Sequence, residues 1–486
     1  MKTEASPLRR NTFLLFLLAL CCLPFADLEL SFPDFWPELS RLGFAMLTPK
    51  VINGQEFLSV LVTTLSFAFQ GVALGVVAGF LLALGYTNPW LRGFCAFIRA
   101  IHELFWALIF IQLTGLTPLT GLLALAIPYA GTFAKVFGEI FEETDSQPAD
   151  NIQARDLSAF FYTTLPLAWQ RMVDYTAYRF ECGIRSSAVL GFVGLPTVGF
   201  HLESLFNQGE YSQAIALLYG LFLIIGTARL WLKKSLVPLY ILLSFIWLPP
   251  VAHIQWSMIW QFFTVDIIPA PIRSGSGDVF HWLWQLLTEQ VFSGVLNTLI
   301  LTQLSLLLTF LLSLILIPLR SRLFTGQGRI VGHSVLVMVR TTPEYLLAFI
   351  GVIIFGPSML PGVLALSAHN GAILAHLSGR FVDQLSFRED RPTGLLLYCY
   401  EVLPRIYRQF MALLLYRWEV IQRESAILGI LGIPTLGFFI DSAFEEFRLD
   451  RAVVLILITA LLNILIDIIA RQLRSQPISH RCDSSA

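Results

Sequence analysis

Residues 178–200 read YRFECGIRSSAVLGFVGLPTVGF, and residues 416–438 read YRWEVIQRESAILGILGIPTLGF. At a fixed offset of 238, 13 of these 23 aligned positions are identical. Leu165-Pro166 and Leu403-Pro404 keep that offset, and upstream Arg99 and Glu103 pair with Arg340 and Glu344 at an offset of 241. A match of this length does not arise by chance, so the chain reads as an internal duplication.

Apolar runs extend the duplication in both directions. They fall near 12–26, 57–86, 95–115, 119–138, 173–194 and 213–232, and again near 236–251, 291–319, 335–356, 359–378, 409–432 and 452–470. The pattern predicts an all-α polytopic membrane protein of about 12 transmembrane helices. The first copy spans 1–235 and the second 236–486. An even number of spans per copy makes the two copies parallel, related by a pseudo-two-fold along the membrane normal, with a pathway near their interface. The run at 12–26 corresponds to the one at 236–251, so it reads as a retained span although Arg9-Arg10 before it resembles a signal peptide.

Composition agrees. The 486 residues are 56% hydrophobic and 13% charged, whereas a soluble domain carries roughly 45–50% apolar and about 25% charged residues. Too little polar surface is left to coat a water-soluble globule. A soluble enzyme and a disordered chain are excluded, and the net charge of −1 excludes the basic excess of a nucleic-acid binder. The cysteines carry no metal or disulfide spacing and read as small hydrophobes. That neutral total hides a polarity: Arg92, Arg155, Arg171, Lys233, Lys234, Arg320, Arg322, Arg380, Arg405 and Arg471 fall in alternate gaps, while Asp27, Glu38, Glu203, Asp266, Asp441 and Asp450 fall in the others. The positive-inside rule places the basic gaps and both termini in the cytoplasm.

No nucleotide-binding motif, metal cluster or catalytic triad is visible, so the energy for active transport must come from a partner or an ion gradient. The long inside segments 139–172 and 380–408 each lead through an aromatic stretch to Leu165-Pro166 or Leu403-Pro404. Proline there fits a helix start or break. Each segment reads as an elbow that docks into a cytoplasmic subunit or as a connector lying on the headgroups. Gly194, Pro196, Thr197 and Gly199, with Gly432, Pro434, Thr435 and Gly437, interrupt a span near its outer end. They form either an external gate or a helix C-terminal cap. Arg99/Glu103 and Arg340/Glu344 are four apart, so either each pair neutralises itself on one helix face at the membrane boundary or the pairs serve the translocation path. Arg179/Glu181 and Arg417/Glu419 are two apart and need other partners. His369 and His376 read as polar packing.

The run Leu-Pro, Tyr-Arg-Phe-Glu, Arg-Ser-Ser-Ala-Val-Leu-Gly-Phe-Val-Gly at 165–194 resembles type I ABC importer permeases, most nearly the phosphonate type. Arg340-Thr341-Thr342-Pro343-Glu344 resembles that family's Arg-x-x-Pro-Glu segment. The likeness covers about 57–234 and 291–474. It implies two permease units fused in one polypeptide, so that no homodimer is required. It also implies two cytoplasmic ATPase subunits that hold ATP and Mg, and an external solute-binding protein. This chain itself would hold no cofactor and perform no catalysis. The family's coupling elbow carries Glu-Ala-Ala and a Gly about a dozen residues before Leu-Pro; here the Gly positions are Gln153 and Arg391, and Glu-Ala-Ala is absent from both copies. The expected function is import of a small solute, phosphonate, phosphate or a related oxyanion, across the bacterial inner membrane. The alternatives are a 6+6 secondary transporter without ATP coupling and a transport-inactive scaffold or sensor.

Overall fold

The computed structural model describes residues 7–29, 35–51, 53–144, 157–248, 254–275, 277–387 and 390–475, and every regular element among them is helical. In the first sequence copy, α1 (Pro7–Cys22), α2 (Phe35–Leu47) and α3 (Gly54–Leu84) precede a hairpin of α4 (Pro89–Ala100) and α5 (Glu103–Thr114). Then come α6 (Pro118–Glu143), α7 (Leu165–Val189), α8 (Val198–Asn207) and α9 (Tyr211–Gly226). The second copy contributes α10 (Val237–Trp247), α11 (Phe292–Arg320), α12 (Arg329–Thr341) and α13 (Glu344–Phe355). It closes with α14 (Met359–Val382), α15 (Leu403–Ile427), α16 (Leu436–Glu445) and α17 (Leu449–Ser475).

Local sequence starts and stops these helices. Asn53 and Asn88 cap α3 and α4 by accepting the N–H of Gln55 (3.0 Å) and Trp90 (2.9 Å), and Pro89 and Pro118 occupy first-turn positions where no donor is needed. Gly115 and Gly356, at φ +70° and +87°, end α5 and α13 in a backbone region closed to most L-residues. Outside the long helices, α2 is tied down by Glu38, which accepts from Tyr211 Oη at 2.7 Å and pairs with Arg41 at 2.8 Å. The Tyr211 hydrogen bond, helped by Arg41, pulls the Glu38 carboxyl below the ordinary glutamate range.

Five helices, Gly54–Leu84, Pro118–Glu143, Val279–Arg320, Met359–Val382 and Leu449–Arg474, are long and apolar enough to cross a membrane. Four bent pairs raise the count to nine if each is one crossing. The remaining apolar runs form the shorter helices Thr12–Phe25, Tyr211–Gly226 and Val237–Trp247. At 1.5 Å per residue the last covers only about 16 Å, roughly half the hydrocarbon thickness. The described helices therefore support five to nine crossings; the twelve expected from hydropathy require the three short helices as well. Val77, Leu81, Ile315 and Leu461, each more than half exposed, give the long helices the apolar outer faces that lipid requires.

The chain packs as two compact units. One holds 34–282 with 443–460, and the other holds 1–33, 283–442 and 461–486. Their division differs from the sequence boundary at 235/236. Helix α1 packs on α11, with Phe16 edge-on to Phe310 at 4.8 Å. Helix α10 packs on α3, with Tyr240 against Phe69 at 5.5 Å. Each copy's first helix thus packs against a long helix of the other copy.

Candidate functional site

Helices α4 and α5 meet at 90°, and α12 and α13 at 89°. Both breaks fall inside the charge pairs singled out from sequence. Arg99 lies in the last turn of α4 and Glu103 opens α5; Arg340 lies in the last turn of α12 and Glu344 opens α13. The expectation that each pair shares one helix face is therefore corrected, because no helix runs through them. The two copies break the helix by different chemistry. Pro343 forces Thr342 into extended backbone (ψ 126°). In the first copy His102 does the same work by capping, its Nδ1 accepting the Leu104 N–H at 3.2 Å. His102 Nε2 also lies 3.3 Å from Glu103, and Trp106 Nε1 donates back to the Ile98 carbonyl at 3.2 Å, stapling α5 across the bend.

The next helices close on these breaks. His369 on α14, buried, reaches the Thr342 carbonyl with Nδ1 (2.9 Å) and Glu344 with Nε2 (3.5 Å). It is polar packing, as expected, and it holds the break. His376 stacks on His333 at 5.3 Å. Asn370 Nδ2 donates to Glu424 on α15 at 3.3 Å and to the Leu366 carbonyl at 2.9 Å. The equivalent pair in the first copy is Tyr129 and Ser186, 3.4 Å apart. Glu424 is 7% exposed and interacts electrostatically with Glu344, Arg417 and Arg423. Arg179 takes its partner from aromatics: Nε donates to Tyr175 Oη at 2.7 Å, and the guanidinium lies 5.1 Å and 5.8 Å from the Tyr175 and Tyr178 rings. Asn370, Glu424 and Tyr129 were missed in the sequence. Their signal was the departure from an otherwise repeated run, Arg-Ser-Ser-Ala against Arg-Glu-Ser-Ala.

The glycine-rich runs form two matching corners, bent by 48° and 43°. Gly194 and Gly432 stand at φ +90° and +86° after a short 3-10 turn, the geometry of a left-handed C-terminal cap. Thr197 and Thr435 are fully buried, and their hydroxyls bond the carbonyls of Ala188 (3.3 Å) and Ala426 (3.1 Å). The next N–H groups, of Val198 and Leu436, donate to Thr64 and Thr298, each at 3.0 Å. A Cβ on Gly191 would stand 2.1 Å from Phe200 N, and one on Gly429 2.0 Å from Phe438 N. Pro196 and Pro434 lie in the turns, and the Pro434 carbonyl accepts from Asn297 at 2.8 Å. The corners are closely packed and internally hydrogen-bonded.

The elbow prolines fall in the first turn of α7 and α15, as a helix start or break requires, with a helical segment already leading into them. In each copy a short helical segment, Leu157–Ala159 or Gly394–Leu396, runs through a π turn (Phe160–Thr164; Leu397–Val402) into α7 or α15. Leu165-Pro166 and Leu403-Pro404 open the α-helical stretch directly after the π turn. Proline lacks an N–H and clashes with the carbonyl four residues back; the wider π turn absorbs both defects. Arg391 and Arg405 lie 5.3 and 5.4 Å from the ring of Phe387. Gln153 lies outside the described residues. The structure thus gathers the charged breaks, corners and elbows along α7 and α15 rather than at one point.

No family model matches the chain. Among curated proteins, a phosphate-import permease protein, PhnE, of Mycolicibacterium smegmatis is 24% identical over 479 residues, covering 89% of this chain and 87% of the relative. The phosphite transport system permease protein PtxC of Stutzerimonas stutzeri is 26% identical over 194 residues, 37% of this chain and 70% of the relative. A putative cryptic phosphonate transport system permease protein, PhnE2, of Escherichia coli K12 is 32% identical over 100 residues, 20% of this chain and 82% of the relative. Among solved structures, nucleoside transporter NupG aligns with 90% of this chain and 98% of its own at 12% identity, with a TM-score of 0.15 that carries no fold relationship. The motifs that resembled phosphonate-type permeases are thus matched by permeases of that kind across nearly the whole length. The chain belongs to the phosphonate-type family of ABC transport permeases, whose members are transport subunits and not enzymes.

Proposed function

We propose that this chain is a fused double permease of an ATP-driven importer, passing phosphate, phosphonate or a related oxyanion across the inner membrane. The observation that carries the proposal is the repeated rod in each copy. An elbow with a π turn leads into α7 or α15, which passes the broken hairpin and ends at the glycine corner. Each rod has 25 α-helical residues, about 37 Å at 1.5 Å per residue, enough to join one membrane face to the other. With rigid corners and packed rods, a push at an elbow is delivered to both the hairpin and the corner. Two cytoplasmic ATPases engaging 157–166 and 394–404 would supply that push, and ATP and Mg belong to them. An external solute-binding protein would deliver the oxyanion, and lipid would surround the helices. Both termini face the cytoplasm in this reading, and the two six-span copies face each other across a pseudo-two-fold.

The broken hairpins suit the pathway. The half-helices that begin at Glu103 and Glu344 turn the positive end of their dipoles toward the breaks. The glycine corners then gate as rigid bodies on the rods. Uptake of radiolabelled phosphate and methylphosphonate into proteoliposomes tests the proposal. Uptake should require ATP, the ATPases and the binding protein together. Uptake by the isolated chain, driven by an ion gradient, would overturn it in favour of a secondary transporter.

A further inference from the structure

In the unit that holds 283–442, the C-terminal ends of α11 and α14 and the segment after α14 enclose a cavity of about 610 Å³. Arg320 and Arg322 reach it from the end of α11 and just beyond, Arg380 from the last turn of α14, and Arg391 from the approach to the elbow. Among the described lining residues Asp383 is the one carboxylate. It is already engaged, accepting from Ser321 Oγ at 2.9 Å and from the Arg322 N–H at 3.0 Å, with Arg320 at 3.6 Å. The lining therefore keeps a clear positive excess.

Arginines at the basic end of a membrane protein are ordinarily explained by charge topology. Two features here go beyond charge topology. These four converge on a concavity from three separate stretches, and the first copy does not repeat them. A Cβ on Gly379 would stand 2.7 Å from the Arg320 side chain and one on Gly138 2.6 Å from the Tyr86 ring, so 320 corresponds to 86 and 380 to 139. The first copy thus has Tyr86 and Glu139 where the second has Arg320 and Arg380. At the position matching Asp383 it has Glu142, which is paired with Arg92 at 3.1 Å. The second copy thus carries arginines at two positions where the first has a tyrosine and a glutamate.

We propose that this cavity binds a phosphate-type oxyanion, either free in solution or as the headgroup of an anionic lipid. Guanidinium forks match phosphate and phosphonate oxygens in bidentate pairs. The volume admits an organic substituent on the phosphorus. An anion bound there bridges α11, α14 and the segment entering the second elbow, and so restrains that elbow. If the importer reading holds, the cavity faces the compartment in which the transported oxyanion accumulates, and its occupancy signals that accumulation to the motor.

The test is binding by the purified full chain, which is scored without transport and so fails or succeeds independently of the importer reading. Inorganic phosphate is titrated calorimetrically in detergent, and retained phosphatidylglycerol is measured by native mass spectrometry from nanodiscs. Arg380→Glu copies the first repeat's charge, Arg391→Gln removes a second fork, and Arg41→Gln on α2 is the control. Binding should weaken about tenfold or more in the first two variants and not in the control. Loss of phosphate binding assigns the free anion, and loss of lipid alone assigns the headgroup. If wild type binds neither, or if Arg380→Glu and Arg391→Gln bind as wild type does, the proposal is overturned.

Discussion

Gly199→Ala probes how rigid the corners are. A Cβ at 199 would stand 2.2 Å from the Ala188 carbonyl oxygen, and one at 437 would stand 2.1 Å from that of Ala426. Carbon and oxygen need roughly 3.2 Å or more, so about 1 Å of displacement is required. The obstacle is backbone in the last turn of a packed rod, and no rotamer change relieves it. Overpacking costs typically about 1–3 kcal/mol. The displacement also disturbs the buried bonds from Val198 N to Thr64 and from Thr197 to Ala188, worth about 1 kcal/mol each. A loss of about 3–5 kcal/mol follows. Gly43→Ala is the reference, since nothing lies within 4 Å of its Cβ and a helix-interior Gly→Ala gains up to about 1 kcal/mol. Tryptophan fluorescence of the detergent-purified chain reads the thermal midpoint. Gly199→Ala and Gly437→Ala should melt well below wild type, and Gly43→Ala at or above it. A Gly199→Ala variant that melts with wild type would refute the rigid-corner argument.

Three further outcomes are expected. Cysteines at Thr197 and Thr435, both fully buried, should resist thiol reagents in this conformation and become reactive when ATPases are trapped with nucleotide; equal labelling in trapped and resting complexes removes the gate. Pro166→Ala and Pro404→Ala relieve the need for a π turn and allow each elbow to rewind relative to its rod, so permease-stimulated ATP hydrolysis should fall while the thermal midpoint holds; undiminished stimulation counts against the elbows as coupling points. Asn370→Leu strips Glu424 of its amide donor and should cost about 2–3 kcal/mol, part of it recovered when Glu424→Leu is added, because neither the amide nor the carboxylate is then left unsatisfied; a thermal double-mutant cycle with no recovery would exclude this pairing.

Much was legible in the residues alone. Apolar runs announce membrane helices because lipid leaves the backbone no other partners. Among the 13 identities between 178–200 and 416–438, Gly191 and Gly199 with their copies Gly429 and Gly437 mark positions where an added Cβ would meet backbone. The family followed from the same runs. The 90° breaks were hidden, because hydropathy is continuous through 95–115 and 335–356 and a short cap by His102 or a Thr-Pro step leaves little trace in it.

Duplication, membrane residence and family are local and periodic properties, carried by neighbours in the chain, and so the linear sequence determined them. Which partners meet was decided by packing at long sequence separation. Only the tertiary structure exchanged α1 and α10 between the copies, set Asn370 against Glu424, and brought Arg320, Arg322, Arg380 and Arg391 around one cavity. Side chains from distant segments share no spacing that a sequence can display, and the physical reason for their meeting is the close packing of helices on one another.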